Sequence, residues 1–408
     1  MEYWISSKEV GAIYPGIFSH PLRCGSVFIG REQCSTPFLF NPFELYLSGM
    51  LNNPNIIVFG QIGFGKSAFV KALLSRHLQH GFCACVMDPK GEYQALARMS
   101  GGSTFSFGNG PGAGLNPLSC VPGSWPASRA HADRLDNLVL TFGAALQREL
   151  SPLESFVLDE ALIEAERACG ELDMFDIYEM LMNMRHREYE GFGGFGLEAS
   201  NSAGQLALEL RRYLFGDLVG IVDGRKTTSG CSFLVNKFMH VDLFRAFRPE
   251  AMRVGLPIFM SMLSKQLTNS SRRYLIALDE AWLALASPGC IGFFRSYWKL
   301  ARGYGISNIA VVHRTEDLFA SGEAGSVSEK VASGLVSDSQ TFVVFRLDPS
   351  SARRLGALLK LSEREVSLVS TLARGQSFWK VSERSYLVDI MLSPAERSMF
   401  DTDKNMNS

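Results

Sequence analysis

The sequence predicts an α/β fold with a mainly parallel sheet, a nucleotide-type phosphate loop, an all-helical insertion and a small β-rich lead-in. Three observations carry that expectation. The run Gly60-Gln61-Ile62-Gly63-Phe64-Gly65-Lys66-Ser67 stands between an apolar stretch, Asn55-Ile56-Ile57-Val58-Phe59, and a helical pattern from Ser67 to His80. Far downstream, Arg273-Tyr274-Leu275-Ile276-Ala277-Leu278-Asp279-Glu280 has the continuous apolar character of a strand buried on both faces, and it ends in two acids. Between them, residues 128–215 read as helix throughout, whereas strands and helices alternate on either side.

Strand, glycine-rich loop and helix in that order form a phosphate-binding loop. Gly60 and Gly65 let the backbone curl so that successive N–H groups, in the stretch that includes Gln61, Ile62, Gly63 and Phe64, point at a β-phosphate. The helix adds the positive end of its dipole. Lys66 is placed to reach the β- and γ-phosphates, and Ser67 to ligate Mg²⁺.

In 408 residues of which 46% are hydrophobic and 20% charged there is material for two or three domains with a sizeable core. A formal net charge of -1 argues against a strong autonomous DNA binder and against attraction to an anionic membrane. The eight cysteines are scattered without a C-x-x-C pair, which suits core thiols in a reducing compartment. His20, Cys24 and Cys34 lack a fourth ligand at suitable spacing and make a poor metal site. Met1-Glu2-Tyr3-Trp4 opens without a basic or apolar leader, and no uninterrupted apolar stretch reaches bilayer length; Gly255 to Leu263 comes nearest and contains Pro257. The expectation is a soluble chain that meets membranes only through partners.

In order along the chain, residues 1–54 form the lead-in, with strand-like pieces at 26–29 and 37–40 expected beside the phosphate loop. Residues 55–124 open the core. Their second strand, Phe82 to Met87, ends at Asp88-Pro89-Lys90-Gly91-Glu92-Tyr93, where Asp88 and Glu92 are expected near the phosphates because ligands gather at the carboxyl ends of parallel strands. A turn that happens to carry acids is the competing reading. Residues 125–230 form the helical insertion; Ser151-Pro152-Leu153-Glu154 marks one helix start with an N-cap serine, a first-turn proline and a capping-box glutamate. Within it, Gly191-Phe192-Gly193-Gly194-Phe195-Gly196 matches a dinucleotide fingerprint but follows the charged stretch Arg185 to Glu190 rather than a strand, so it reads as a loop. The core resumes over 231–400 with strands expected at 238–243, 307–312, 341–347, 377–381 and 386–390, and with helices at 251–267, 291–302, 351–360 and 363–373. Residues 401–408 are a polar tail.

The chemistry these residues support is phosphoryl transfer to water. Lys66 and Ser67 with Mg²⁺ neutralise phosphate charge, Asp279 holds the metal's water shell, and Glu280 polarises the attacking water. His313, after the strand 307–312, is either a γ-phosphate sensor or a hydrogen-bonded structural residue. Arg302 and Arg346 are candidates for a charge inserted into a neighbouring subunit's site.

With the phosphate loop, Asp88-Pro-Lys-Gly-Glu-Tyr93 and Leu278-Asp-Glu-Ala-Trp282 together, the chain resembles the conjugative type IV secretion ATPases of the VirB, TraC and TrbE kind, which are similar to the HerA and FtsK motors. The resemblance continues through Leu115-Asn-Pro-Leu118, Lys299-Leu-Ala-Arg-Gly-Tyr-Gly305, Val311-Val-His-Arg314 and Gly375-Gln-Ser-Phe-Trp379. It implies a RecA-like motor core, a homo-hexamer, hydrolysis of ATP with Mg²⁺, and docking on membrane-channel components at the cytoplasmic face of the cell membrane, with DNA contact weak or indirect. It also implies Arg302 as the arginine acting in trans. The alternative is a hexameric DNA-translocating motor or coupling protein that grips DNA directly. Two departures stand out. His313 occupies a place where many relatives carry glutamine, and only about 55 residues precede the loop, where the family commonly has a large amino-terminal domain.

Overall fold

The computed structural model describes residues 22, 26–33, 36–108, 110–111, 113–119, 126–186, 196–225, 236–244, 249–267, 272–280, 298–299, 301–312 and 334–400. Its centre is an 11-stranded sheet. The strands are β1 (Phe28–Glu32), β2 (Pro37–Leu39), β3 (Ile56–Phe59), β4 (Cys83–Asp88), β5 (Ser103–Ser106), β6 (Phe238–Asp242), β7 (Tyr274–Leu278), β8 (Ile306–Val312), β9 (Thr341–Val344), β10 (Gln376–Val381) and β11 (Arg384–Ile390). They lie in the order β2-β1-β11-β10-β9-β3-β8-β7-β4-β6-β5. From β9 to β5 every pairing is parallel, and from β10 to β2 every pairing is antiparallel.

The parallel strands are apolar throughout because both sheet faces are covered. Alternate residues feed two different cores: Ile57 and Phe59 of β3 join Cys83, Cys85 and Met87 of β4 on one face, while Ile56 and Val58 join Ala84 and Val86 on the other. Cys83 and Cys85 are therefore buried free thiols, as their alternation predicts. Helix α1 (Pro42–Leu47) is started by Asn41, whose side chain accepts from the N–H groups of Phe43 and Glu44, with proline in the first turn. Helix α2 (Lys66–Gln79) covers the second face, and α3 (Gln94–Met99) follows β4.

Helices α4 (Ala127–Leu146), α5 (Pro152–Ala168), α6 (Met174–His186) and α7 (Gly196–Phe215) lie between β5 and β6 and share a third core of their own. They are seated on α8 (Pro249–Leu267), where Lys265 Nζ donates to the Asp133 carbonyl at 2.9 Å and Ser261 Oγ to Asn137 Oδ1 at 2.8 Å. The element described before residues 191–196 is helix α6, and Gly196 itself opens α7; residues 187–195 lie outside the described residues. Helices α9 (Pro349–Leu359), α10 (Glu363–Thr371) and α11 (Pro394–Phe400) complete the chain.

The lead-in departs from expectation in its place. Strand β1 pairs with β11, so β11, β10 and β9 separate it from β3 and the phosphate loop. It meets instead the far end of α2, where Arg76 Nη1 donates to the Phe28 carbonyl at 2.7 Å. The cause is the carboxyl-terminal hairpin β10–β11, whose outer edge would otherwise stand unpaired. His20, Cys24, Cys34 and the tail lie outside the described residues.

The capping box of α5 generates a stability prediction. Ser151 Oγ accepts from the Glu154 N–H at 3.2 Å, while Glu154 accepts from the Ser151 N–H at 2.8 Å and from Arg148 at 2.8 and 2.6 Å. The Arg148 hydrogen bond foremost, with the serine bonds, draws the Glu154 carboxyl down to about 2 from 4.5. A carboxyl depressed in the folded state contributes stability above its unfolded pKa and loses it as pH falls through the folded value. Glu154→Gln is therefore expected to cost about 1 kcal/mol at pH 7. That gap should narrow as pH falls from about 4.5 toward 2, read from urea midpoints at each pH.

Candidate nucleotide-binding and hydrolytic site

The parallel register brings the two sequence motifs to one edge of the sheet. Strand β8 lies between β3 and β7, with Phe59 opposite Val312 and Leu278 opposite Ala310, so the loop after β3 and the acids after β7 stand about 10 Å apart across one strand. The turn after β4 borders the acids directly, since Met87 is registered with Leu278 and the Asp279 N–H donates to the Met87 carbonyl at 3.2 Å.

The loop has the curl its glycines predict. Gly60 has φ +148° and Gly65 φ +102°, and a Cβ on Gly60 would stand 2.6 Å from Cβ of Phe345. The Gln61 N–H donates to the Arg346 carbonyl at 2.9 Å and the Gly375 N–H to the Phe64 carbonyl at 3.3 Å, so segments after β9 and before β10 hold the loop. Ile62 is 78% exposed at its crest. Helix α2 starts from Gly65 with no side-chain cap and no acid in its first turn, which leaves its leading N–H groups and dipole available to an anion. Ser67 is half-buried in that first turn.

Lys66 is buried, and its ammonium donates to the carbonyls of Gly60 and Gln61, the latter at 2.8 Å. Burial lowers its pKa to about 8 even though Asp279 raises it. Asp279 is buried as well; desolvation lifts its carboxyl to about 6, against the opposing charge of Lys90 and with that of Glu280. Its Oδ1 accepts from the Glu280 N–H at 3.1 Å, while Oδ2 is buried without a hydrogen-bond partner. An orphaned carboxylate oxygen and, at the same sheet edge, a half-buried serine at an uncapped helix start are donors of the kind a hard, oxygen-liking cation takes. The residues present thus fit a magnesium–nucleotide complex, with Ser67 and Asp279 as its candidate ligands.

Glu280 has φ +55°, in the left-handed region a side chain rarely adopts, and its carboxylate meets Lys90 Nζ at 2.5 Å. Lys90 was not singled out in the sequence, although it sits within the Asp88 to Tyr93 turn. Asp88 and Glu92 stand at the expected edge, where Glu92 acts on the charge of Lys66 and both act on that of Asp279, and each also has a protein partner. Asp88 is fully buried and accepts from the Lys90 N–H at 3.1 Å, the Tyr93 N–H at 2.8 Å and His240 Nε2 at 3.0 Å, which shapes the turn rather than faces a phosphate. Glu92 pairs with Lys71 of α2 at 3.5 Å. The turn therefore ties the phosphate-loop helix to the acidic strand.

Arg302 lies in the 3-10 turn Ala301–Tyr304, before β8, and Nη1 donates to the Asn52 carbonyl at 3.3 Å. Both positions precede their strands, so Arg302 stands at the amino edge of the sheet, about 20 Å from its own phosphate loop. Lys299, Asn53, Asp338 and Gln340 line the same recess. Arg346 is different: it is exposed after β9, at the same edge as the phosphate loop, and its guanidinium lies 5.4 Å from the ring of Phe64 in its own loop. His313 and Trp282 lie outside the described residues.

Gly60→Ala tests this geometry directly. The added methyl meets Phe345 at a backbone angle alanine rarely adopts, so magnesium–nucleotide binding should fall at least tenfold while the far-ultraviolet circular dichroism of the chain stays unchanged. Titration with a fluorescent ATP analogue measures it.

No family model and no curated protein sequence matches the chain. Solved structures do. The structure of VirB4 from Thermoanaerobacter pseudethanolicus superposes with a TM-score of 0.76 at 21% identity, over 93% of this chain and 99% of that one. The bacterial conjugative coupling protein TrwB, lacking its first 70 residues, superposes with a TM-score of 0.60 at 14% identity, over 94% and 91%. TrwB in complex with ADP and Mg²⁺ gives 0.59 at 14%. At these identities the likeness establishes architecture: the chain has the RecA-like fold of a P-loop NTPase.

Proposed function

We propose that this chain is an ATPase that energises assembly of, or transport through, a conjugative type IV secretion apparatus. The observation that carries the reading is the meeting of the Lys66 loop with Asp279 and Glu280 at one edge of the sheet, in a fold shared over 93% of the chain with VirB4. Residues 55–124 and 231–400 form the motor core, 125–230 the helical insertion and 1–54 the lead-in. ATP is the substrate, as the nucleotide complexes of TrwB support.

Lys66 and the amino end of α2 bind the triphosphate, and Glu280 orients water for in-line attack. Mg²⁺, held by Ser67 and Asp279, would supply charge neutralisation across the phosphates. The place of Arg302 at the opposite sheet edge supports its action in a neighbour's site and hence a homo-hexamer; His313 is kept as a γ-phosphate sensor. Among the described residues no helix is long and apolar enough to cross a membrane, which supports docking on channel components at the inner membrane face through protein partners. The likeness to TrwB favours, as the second reading, a coupling protein that moves DNA itself.

The deciding measurement is the ATP hydrolysis rate across protein concentrations, with and without single-stranded DNA. For a secretion ATPase the rate rises steeply with concentration, ignores DNA and falls roughly 100-fold or more in Glu280→Gln. Strong stimulation by DNA transfers the assignment to the DNA-moving motor. Arg302→Ala should abolish turnover alone but recover part of it when mixed with Glu280→Gln, because each variant supplies what its neighbour lacks. Absence of recovery removes Arg302 from the site.

A further inference from the structure

We propose that Lys90 is a positioning residue that latches Glu280: the ion pair between them holds the glutamate away from water, and it opens before each hydrolytic turn. The inference rests on the ATPase reading above and names the control on its key carboxylate.

The pair is close and well supported. Lys90 Nζ lies 2.5 Å from Glu280 Oε1, with the Glu280 side chain only 11% exposed and that of Lys90 34%. Burial disfavours the Lys90 ammonium, but the hydrogen bond and charge of Glu280 outweigh it and raise its pKa above the ordinary lysine value. A carboxylate so engaged has one oxygen committed and its charge compensated, which makes it a poor acceptor for the proton of a water molecule.

The backbone on both sides adds independent support. Glu280 is held at φ +55°, a conformation that persists only where its surroundings over-determine it, and the Lys90 contact is a restraint on the same residue. On the lysine side the turn has little freedom. Asp88 takes hydrogen bonds from the N–H groups of Lys90 and Tyr93 and from buried His240, whose other ring nitrogen lies 3.3 Å from Thr104 Oγ1. Glu92, two residues on from Lys90, is tied to Lys71 of α2. The turn is a fixed mount, and the movable part is the partly exposed Lys90 side chain.

Its neighbour is the other informative feature. Lys90 reaches Glu280 at the same sheet edge as the Lys66 loop, and its positive charge acts on the Lys66 ammonium. Negative charge bound at Lys66 therefore competes with Glu280 for Lys90. A triphosphate seated on Lys66 thus weakens the pair without abolishing it, so the glutamate is free in only a fraction of the nucleotide-bound molecules and the latch still limits turnover.

The test compares steady-state hydrolysis by wild type, Lys90→Met and Lys90→Arg, with Glu280→Gln as control. A latch predicts that Lys90→Met raises kcat about 3- to 5-fold, the release expected of one partly buried ion pair, with KM within about twofold of wild type. Lys90→Arg, which keeps the pair, should return the rate toward the wild-type value. An unchanged or lower kcat in Lys90→Met, with wild type active, overturns the latch and leaves the ATPase standing. Absence of Glu280-dependent hydrolysis in both overturns the ATPase and the latch with it. Thermal unfolding guards against a folding defect: Lys90→Met should lower Tm by about 2 °C in wild type and by much less in Glu280→Gln. Equal shifts in the two backgrounds overturn the pairing.

Discussion

The site depends first on the parallel pairing of β3, β8, β7 and β4. Each strand is registered so that its carboxyl end finishes at the same edge, and each is anchored by side chains that enter the cores on both faces. A one-residue slip of any of them would exchange its two sets of apolar side chains between faces. Because both sets must stay dry, the phosphate loop, the Asp88 turn and the Asp279-Glu280 pair are positioned first by the hydrophobic core, to which the ion pairs among them are added. That is how acids that repel one another are held close together.

Within this frame the charges are starved of solvent on both sides. Lys66 is brought down to about 8 and Asp279 up to about 6, both by burial first, although Asp279 favours the charged form of Lys66 and Lys90 that of Asp279. Groups in that condition interact strongly with any charge that joins them, since little water intervenes. The carboxylates are not equivalent. Asp88 is consumed by the turn and His240, Glu92 by Lys71 and Glu280 by Lys90, while Asp279 keeps an oxygen without a partner. The different roles proposed for Asp279 and Glu280 thus rest on what surrounds each, not on their adjacent places in the chain.

Much of this was legible because the informative residues are local in sequence. A strand, eight residues of loop and a helix announce themselves, and so do the caps at Ser151 and Ser362, both of which form complete capping boxes. The short helices α1, α3 and α11 were not anticipated: six or seven residues carry too little periodicity, although Asn41-Pro42 and Ser393-Pro394 are start signals on closer reading. The pairing of β1 with β11 links residues about 360 apart and leaves no local trace. For the same reason Asp88 could be placed at the right edge but not assigned its partner His240, 152 residues away, nor Lys90 its partner in the acidic strand. Lys90 was overlooked as a lysine in a turn, where exposure is the usual fate.

The far end of α2 explains why the lead-in belongs to the motor rather than beside it. Arg76 makes a two-pronged pair with Glu396 at 2.8 Å on each arm and also donates to the carbonyls of Phe28 and Met391. One guanidinium therefore joins the phosphate-loop helix to β1 and to the segment that follows β11. At its other end the same helix begins in a loop held by Arg346 and Gly375, which border β9 and β10. Helix α2 is clamped at both ends to one contiguous antiparallel region, with Trp379 packed against Phe69 in its first turn. Any shift that nucleotide imposes on the loop must then move that region as a body, because a fourteen-residue helix is too stiff to absorb it. The region lies on the opposite side of β3 from the helical insertion, so the motor has two outlets for displacement: α2 toward the lead-in, and the Asp88 turn toward the acidic strand.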